Sequence, residues 1–193
     1  MKKQSILESR VKNAYLSLGS NLGNRKLNLS NAITHLSDSG IIIDSWNHDD
    51  QQSKCISSIY ETEHWSENLN EENYPNYFNI ACRVQTLLDP NTLLKKIKSI
   101  EKKIGRNLKN TKNSPREIDI DILFFDDIVM DEKNLIIPHP RLIFRAFVLI
   151  PLFEIAPDFV HPIKQNSVSE LLKKISFSEK NSVRKISDSI EAN

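Results

Sequence analysis

The spacing of hydrophobic positions changes several times along the chain, and each change marks an element. Residues 12–19 (KNAYLSLG) read as a short strand running into the turn Gly19-Ser20-Asn21-Leu22-Gly23-Asn24. Leu29, Ala32, Ile33 and Leu36 then recur at helical spacing, up to about Gly40. Ile41 to Ile43 and Ile56 to Tyr60 predict an extended strand or strand pair, broken by the polar stretch 47–54. Residues 63–76 are polar and aperiodic, a long loop. In 77–87, Phe78, Ile80, Cys82 and Val84 alternate with Tyr77, Asn79, Arg83 and Gln85, the pattern of a strand with one core face and one polar face. Asp89-Pro90 starts a helix striped by Leu93, Leu94, Ile97, Ile100 and Ile104, and Gly105 stops it. A basic, Asn-rich loop at 106–114 leads to a strand from Ile118 to Phe125 and a hairpin return through Leu135 to Ile137. A buried helix is predicted over 145–156 and a weaker one over 167–175. This order predicts an α+β fold, a ferredoxin-like β-α-β-β-α-β sheet with helices on one face and an additional C-terminal hairpin and helices. The opposite face is then free for a ligand. The domain is expected to span 12–176, with 1–11 and 177–193 as polar, loosely ordered tails.

Composition narrows the function classes. The chain has 193 residues, enough for one domain, and 39% of them are hydrophobic. A net charge of +1 supplies no global field for nucleic acid or an acidic membrane, so an anionic ligand needs a local basic cluster. No apolar run approaches the ~20 residues of a membrane span, and charged residues interrupt the N-terminus before a signal-peptide core forms. Cys55 and Cys82 lack metal-binding spacing and read as idle thiols in a reducing compartment, so a cytoplasmic location is expected.

The chemistry concentrates around Asp119 and Asp121. Side chains repeat every two residues on a strand, so both carboxylates leave one face with Cα atoms about 6.5–7 Å apart, while Ile118, Ile120 and Ile122 turn to the core. Two such acids are either a solvated strand face or a site for a hard divalent cation, which relieves their repulsion and favours one or two carboxylates plus phosphate oxygens. Arg116 stands at the mouth of the strand, Arg106 follows Gly105, and Arg141 and Arg145 follow Pro138-His139-Pro140. Arginine suits polyphosphate because its planar fork bonds in pairs and stays charged. Glu101 lies on the buried edge of its helix, either in a structural salt bridge with Arg or Lys, or orienting Arg106 or joining a metal site. His139, stiffened between prolines, is a candidate phosphate contact. Tyr77 and Asn79 share a polar face suited to a flat, hydrogen-bonding heterocycle, with Trp65 and Phe147 as candidate stacking surfaces. Ser20-Asn21-Leu22-Gly23 lacks the glycine spacing and Lys-Ser/Thr ending of a phosphate loop.

Over about residues 13–163 the chain resembles the 6-hydroxymethyl-7,8-dihydropterin pyrophosphokinases. The resemblance runs in order through Leu18-Gly19-Ser20-Asn21-Leu22-Gly23, Ser58-Ile59-Tyr60-Glu61-Thr62, Tyr77-Phe78-Asn79, Ile100-Glu101 to Gly105-Arg106, Pro115-Arg116-Glu117-Ile118-Asp119-Ile120-Asp121-Ile122-Leu123, Ile137-Pro138-His139-Pro140-Arg141, and Arg145 to Leu152. It implies transfer of pyrophosphate from ATP to the pterin alcohol with release of AMP. Asp119 and Asp121 would bind two Mg²⁺ ions, and Asp121 would take the hydroxyl proton. Arg116, Arg106 and Glu101 would serve catalysis, and Arg116, Arg106, His139 and Arg145 would grip ATP. Thr62, Trp65, Tyr77, Asn79 and Phe147 would surround the pterin. A fusion or association with a dihydropteroate synthase is also implied. The chain departs from better-known bacterial members in longer loops at 44–55 and 63–76, in Leu108 where some have an arginine, and in Asn113 where some have a tryptophan. Those departures leave a second expectation standing, a nucleotide- or pterin-binding domain of low activity derived from a bifunctional folate enzyme.

Overall fold

The computed structural model describes residues 11–41, 54–63, 75–105 and 114–188. In chain order the elements are β1 (Lys12–Ser20), α1 (Arg25–Asp38), β2 (Ile59–Thr62), β3 (Tyr77–Thr86), α2 (Pro90–Ile104) and β4 (Asp119–Phe125). They continue with the hairpin strands β5 (Met130–Glu132) and β6 (Leu135–Ile137), then α3 (Ala146–Ile155), α4 (Val168–Lys174), α5 (Phe177–Asn181) and β7 (Val183–Ser187). Local chemistry sets the helix ends. Asn24 caps α1 by accepting the Leu27 N–H at 3.1 Å, and Asp89 caps α2 by accepting the Thr92 N–H at 3.0 Å. Gly105 ends α2 at φ +120°, a conformation that strains any side chain.

Five strands form one sheet in the order β4-β1-β3-β2-β7, every neighbouring pair antiparallel. The first four give the ferredoxin-like order expected from the sequence. One face presents Ala14, Leu16 and Leu18 of β1, Ile80, Cys82 and Val84 of β3, and Ile120 and Ile122 of β4. These pack against Leu29, Ala32, Ile33 and Leu36 of α1 and Leu93, Ile97 and Ile100 of α2. Each fully buried Leu or Ile contributes about 1.5–3 kcal/mol, so this face anchors the fold.

The opposite face is not wholly free, as the sequence had suggested. α3 covers it where Tyr15, Ala81, Leu123 and Phe124 meet Ala146, Val148, Leu149 and Leu152. Phe124 also stacks at 4.6 Å on Phe159 and edge-on at 5.4 Å against His161. Among the described residues, no helix covers the end of the sheet that carries Gly19, Tyr77, Asn79, Asp119 and Asp121.

Residues 177–188 are a second correction, for they form α5 and β7 rather than a loose tail. Ser176 and Glu179 make a reciprocal capping box at the start of α5. β7 then pairs with β2, Tyr60 opposite Lys185 and Thr62 opposite Val183. Arg184 bonds Glu61 at 2.6 Å and Lys185 reaches Glu154 at 3.9 Å. Backbone bonds and ion pairs hold this edge strand, so no hydrophobic alternation marks it in the sequence. Residues 42–53, part of the strand pair expected after the first helix, lie outside the described residues, as do 1–10 and 189–193. Beyond that gap Glu154 of α3 accepts both the N–H and the hydroxyl of Ser58, each at 2.7 Å, and clamps the start of β2. Cys55 and Cys82 are buried and not joined in a disulfide, and Arg83 Nη2 donates to Cys55 Sγ at 3.2 Å. Among the described residues no helix is long and apolar enough to cross a membrane.

Candidate active site

Strand register assembles the open end. Gly19 of β1 lies opposite Asp119 of β4 on one side and opposite Asn79 of β3 on the other. Asp119 and Asn79 therefore stand two strand spacings apart, about 9–10 Å, with no side chain between them. A Cβ at Gly19 would come within 3.3 Å of Asn79 Oδ1 and 3.7 Å of Tyr77 Cδ1. The missing side chain keeps the floor flat. A glycine inside a strand pattern is the sequence signal for such a close approach, and its place at the head of the turn masks it.

On the β3 side, buried Asn79 donates from Nδ2 to Thr62 Oγ1 at 2.9 Å. That bond orients the amide and turns its carbonyl oxygen over Gly19. Tyr77 stands two residues earlier on the same face. Burial raises its hydroxyl pKa, with nearby Arg116 opposing and Asp119 adding to the rise. On the β4 side, the Asp119 and Asp121 side chains keep 32% and 40% of their surface exposed. Arg116 Nη1 lies 3.1 Å from Asp119 Oδ2, and His139 Nε2 lies 3.9 Å from Asp121 Oδ2.

The Pro138-His139-Pro140 segment brings the histidine in. The Leu123 carbonyl accepts the His139 N–H at 2.9 Å, which ties the segment to the end of β4. The Arg141 N–H donates to His139 Nδ1 at 3.3 Å, so the neutral ring carries its proton on Nε2, toward Asp121. Burial holds the imidazole below its ordinary pKa; Asp121 opposes this, while Arg145 and Arg141 reinforce it. Arg145, at the head of α3, sits with its guanidinium carbon 5.3 Å from the Phe147 ring centre. Burial and the neighbouring Arg141 lower the Arg145 pKa, while Asp121 and Asp119 oppose that fall, so the guanidinium feels the acidic pair.

The structure thus brings together Asp119, Asp121, Arg116, His139 and Arg145, with Thr62, Tyr77 and Asn79 beside them and Phe147 against Arg145. It does not bring Glu101 into that group. Fully buried, Glu101 reaches from the helix side of the sheet, accepting the Ile120 N–H at 2.9 Å and pairing with Lys98 at 3.0 Å. It therefore takes the structural salt bridge of its two expected readings, and it fixes the backbone between the aspartates. Trp65, Arg106, Leu108 and Asn113 lie outside the described residues, together with most of loops 44–55 and 63–76. Asn21 is a contributor the motif reading missed. Its side chain accepts the Arg116 N–H at 2.8 Å and donates to the Pro75 carbonyl at 3.3 Å.

The donor set fits a hard divalent cation shared with phosphate. Two half-exposed carboxylates share a face beside basic groups, and no group of three or more His, Cys, Asp or Glu among the described residues makes an all-protein cage. Mg²⁺ takes such a site, with one or two carboxylates, water and substrate oxygens.

The profile of the 7,8-dihydro-6-hydroxymethylpterin-pyrophosphokinase (HPPK) family matches residues 15–157. The chain belongs to this family. The HPPK relatives include the 2-amino-4-hydroxy-6-hydroxymethyldihydropteridine pyrophosphokinase of Aquifex aeolicus, 39% identical over 156 residues, which cover 81% of this chain and 88% of that protein. The folic acid synthesis protein fol1 of Pneumocystis carinii is 39% identical over 161 residues, 83% of this chain but 20% of the longer protein. Among solved structures, a Plasmodium falciparum HPPK-DHPS variant with pterin and p-hydroxybenzoate superposes with a TM-score of 0.65 at 19% identity. That superposition covers 91% of this chain and 47% of the Plasmodium chain, and it supports the shared fold.

Proposed function

We propose that this HPPK domain transfers a pyrophosphoryl group from ATP to the hydroxymethyl oxygen of 6-hydroxymethyl-7,8-dihydropterin in folate biosynthesis. The pterin oxygen attacks the β-phosphorus, the bond from that phosphorus to the oxygen bridging to the α-phosphate breaks, and AMP leaves. What carries this reading is the row Asp119–Gly19–Asn79, which sets an acidic pair and a hydrogen-bonding pocket side by side across a bare glycine.

On the pocket side, Asn79 Oδ1 accepts from the pterin's edge, Thr62 holds that amide in register, and Tyr77 and Phe147 flank the ring. A buried hydrogen-bonding edge of this kind gives strong selectivity, because an analogue without the matching groups leaves them unpaired. On the phosphate side, Arg116, Arg145 and His139 Nε2 hold the triphosphate oxygens. Asp119 and Asp121 would hold two Mg²⁺ ions. Bound there, Mg²⁺ neutralises charge on the phosphates and acidifies the attacking hydroxyl. Asp121 is the group that takes the hydroxyl proton. The backbone between the two acids is held from behind by Glu101, so their spacing does not depend on the ligand. Arg106 and Trp65 keep their ATP and pterin roles on the family resemblance alone. The HPPK-DHPS relatives support association with a dihydropteroate synthase, and we place the reaction in the cytoplasm.

Incubation with ATP, Mg²⁺ and the pterin alcohol is expected to yield AMP and the pterin pyrophosphate. Formation of ADP instead would mean simple kinase chemistry. Pterin binding without turnover would select the binding-module reading. Omission of Mg²⁺ is expected to abolish turnover while pterin binding persists.

A further inference from the structure

The Ser20–Gly23 turn is held from α1, where Asn28 Nδ2 donates to the Leu22 carbonyl at 2.8 Å and to Ser20 Oγ at 3.2 Å. Gly23 closes it at φ +65°. From this braced turn Asn21 points inward with no exposed surface. It grips the residue ahead of β4 at two points. Its Oδ1 accepts the Arg116 N–H at 2.8 Å, and its own N–H donates to the Arg116 carbonyl at 3.2 Å. Its Nδ2 meanwhile donates to the Pro75 carbonyl at 3.3 Å, just ahead of β3. Both halves of the site are thus approached through peptides bonded to one side chain.

Arg116 is the half that depends on it most. The guanidinium lies against Asp119 at 3.1 Å, and its Nε donates to the Ser114 carbonyl at 3.2 Å. Rotation of the Arg116 peptide would carry that fork away from the acidic pair. The β3 side has a second brace, because Arg25 Nη1 donates to the Asn76 carbonyl at 2.7 Å while stacking over Phe78. We propose that Asn21 is a positioning residue for phosphate recognition, a two-ended amide clip that sets the Arg116 fork relative to Asp119. It touches neither substrate; it acts through Arg116. An amide suits the task because it needs an acceptor for an N–H at one end and a donor for a C=O at the other.

This proposal rests on the pyrophosphoryl-transfer reading, and its test separates the two. Asn21→Ala leaves the half-buried Arg116 N–H without its acceptor and is expected to raise the KM for ATP by roughly tenfold, while the pterin dissociation constant moves less than about threefold. Asn21→Asp keeps the acceptor for Arg116 and should restore the KM for ATP to within about threefold of the parent. A generally loosened fold would shift both ligands together and would not be rescued by Asp. Should Asn21→Ala not fold, Asn21→Ser, whose hydroxyl is too short to reach either partner, is expected to show the same split. The Arg116 amide gives a readout independent of turnover. Its hydrogen exchange should be slow in the parent and in Asn21→Asp, and much faster in Asn21→Ala or Asn21→Ser. If the parent makes no AMP, the reaction reading fails, yet the exchange pattern still judges the clip. If the parent is active but Asp behaves like Ala, or exchange at Arg116 is unchanged, the clip is overturned.

Discussion

The two edges of the five-stranded sheet both carry acidic and basic residues, but they use them differently. At the β2/β7 edge Glu61 is enclosed by Arg25 at 3.0 Å and Arg184 at 2.6 Å. Glu154 nearby takes the Ser58 N–H and hydroxyl, with Lys54 and Lys185 around it. Their side chains keep 14% and 21% exposure. At the β4 edge Asp119 and Asp121 stand side by side, keep roughly twice that exposure, and face an open floor. Carboxylates wrapped by protein donors fasten strands to helices. A pair that keeps this exposure beside a bare glycine has room for the external cation and phosphate that we propose it holds. The same side-chain chemistry is enclosed in one place and open to a ligand in the other, and that difference underlies the proposed division of roles.

The largest effect should separate the edges outright. Asp121→Ala is expected to lower turnover about 10²–10³-fold, with pterin affinity and thermal stability nearly unchanged. AMP release alongside a melting curve measures this, and a near-parental rate would remove the metal assignment. Glu154→Ala should do the reverse, costing about 1–3 kcal/mol by leaving the Ser58 N–H unmet, with little change in rate per folded molecule. Urea titration gives the number; an unchanged midpoint would contradict the clamp. Arg116→Ala comes next, weakening ATP use by about tenfold and pterin binding far less, because a charged fork is lost from the phosphate side only. Equal losses for both ligands would make Arg116 structural.

The smallest effect belongs to Arg184→Ala, about 0–1 kcal/mol for an ion pair whose arginine is largely exposed. Its pH dependence tells more than its size. The Arg184 hydrogen bond, with help from Arg25 and against burial, holds Glu61 below its ordinary pKa of 4.5. A depressed carboxylate stabilises the fold fully above its unfolded pKa and loses that contribution as pH falls through the folded value. The gap between parent and variant should therefore be steady at neutral pH and close as the solution is acidified below about 4.5. A gap that does not narrow at all on acidification would show that Arg184 acts by packing rather than by charge.

Much of this was legible in the chain because side-chain period reports facing direction. Alternation over 118–122 placed Ile120 and Ile122 in the core and both aspartates on the far face, and α2 was readable from Asp89-Pro90 to Gly105. Covering of the second face by α3 was less readable, since a helix that is apolar nearly all round does not say which surface it packs on. Glu101 reads as buried and needing a partner, and its salt bridge to Lys98 is within that reading; its second partner, the Ile120 N–H on a strand edge, is one that no side-chain pattern reveals. Asn21 escaped for the same reason, both ends of its amide serving peptide groups distant in sequence. β7 escaped because its pairing rests on backbone and charge.

That last strand has a practical consequence for cutting the domain. Val183-Arg184-Lys185-Ile186-Ser187 is short and basic, features by which edge strands discourage pairing with other molecules. Trimming the chain after residue 176 would strip this cover and leave the Ile59–Thr62 backbone as a bare template for another copy of the chain. Such a piece would retain the whole acidic row and yet self-associate at high concentration.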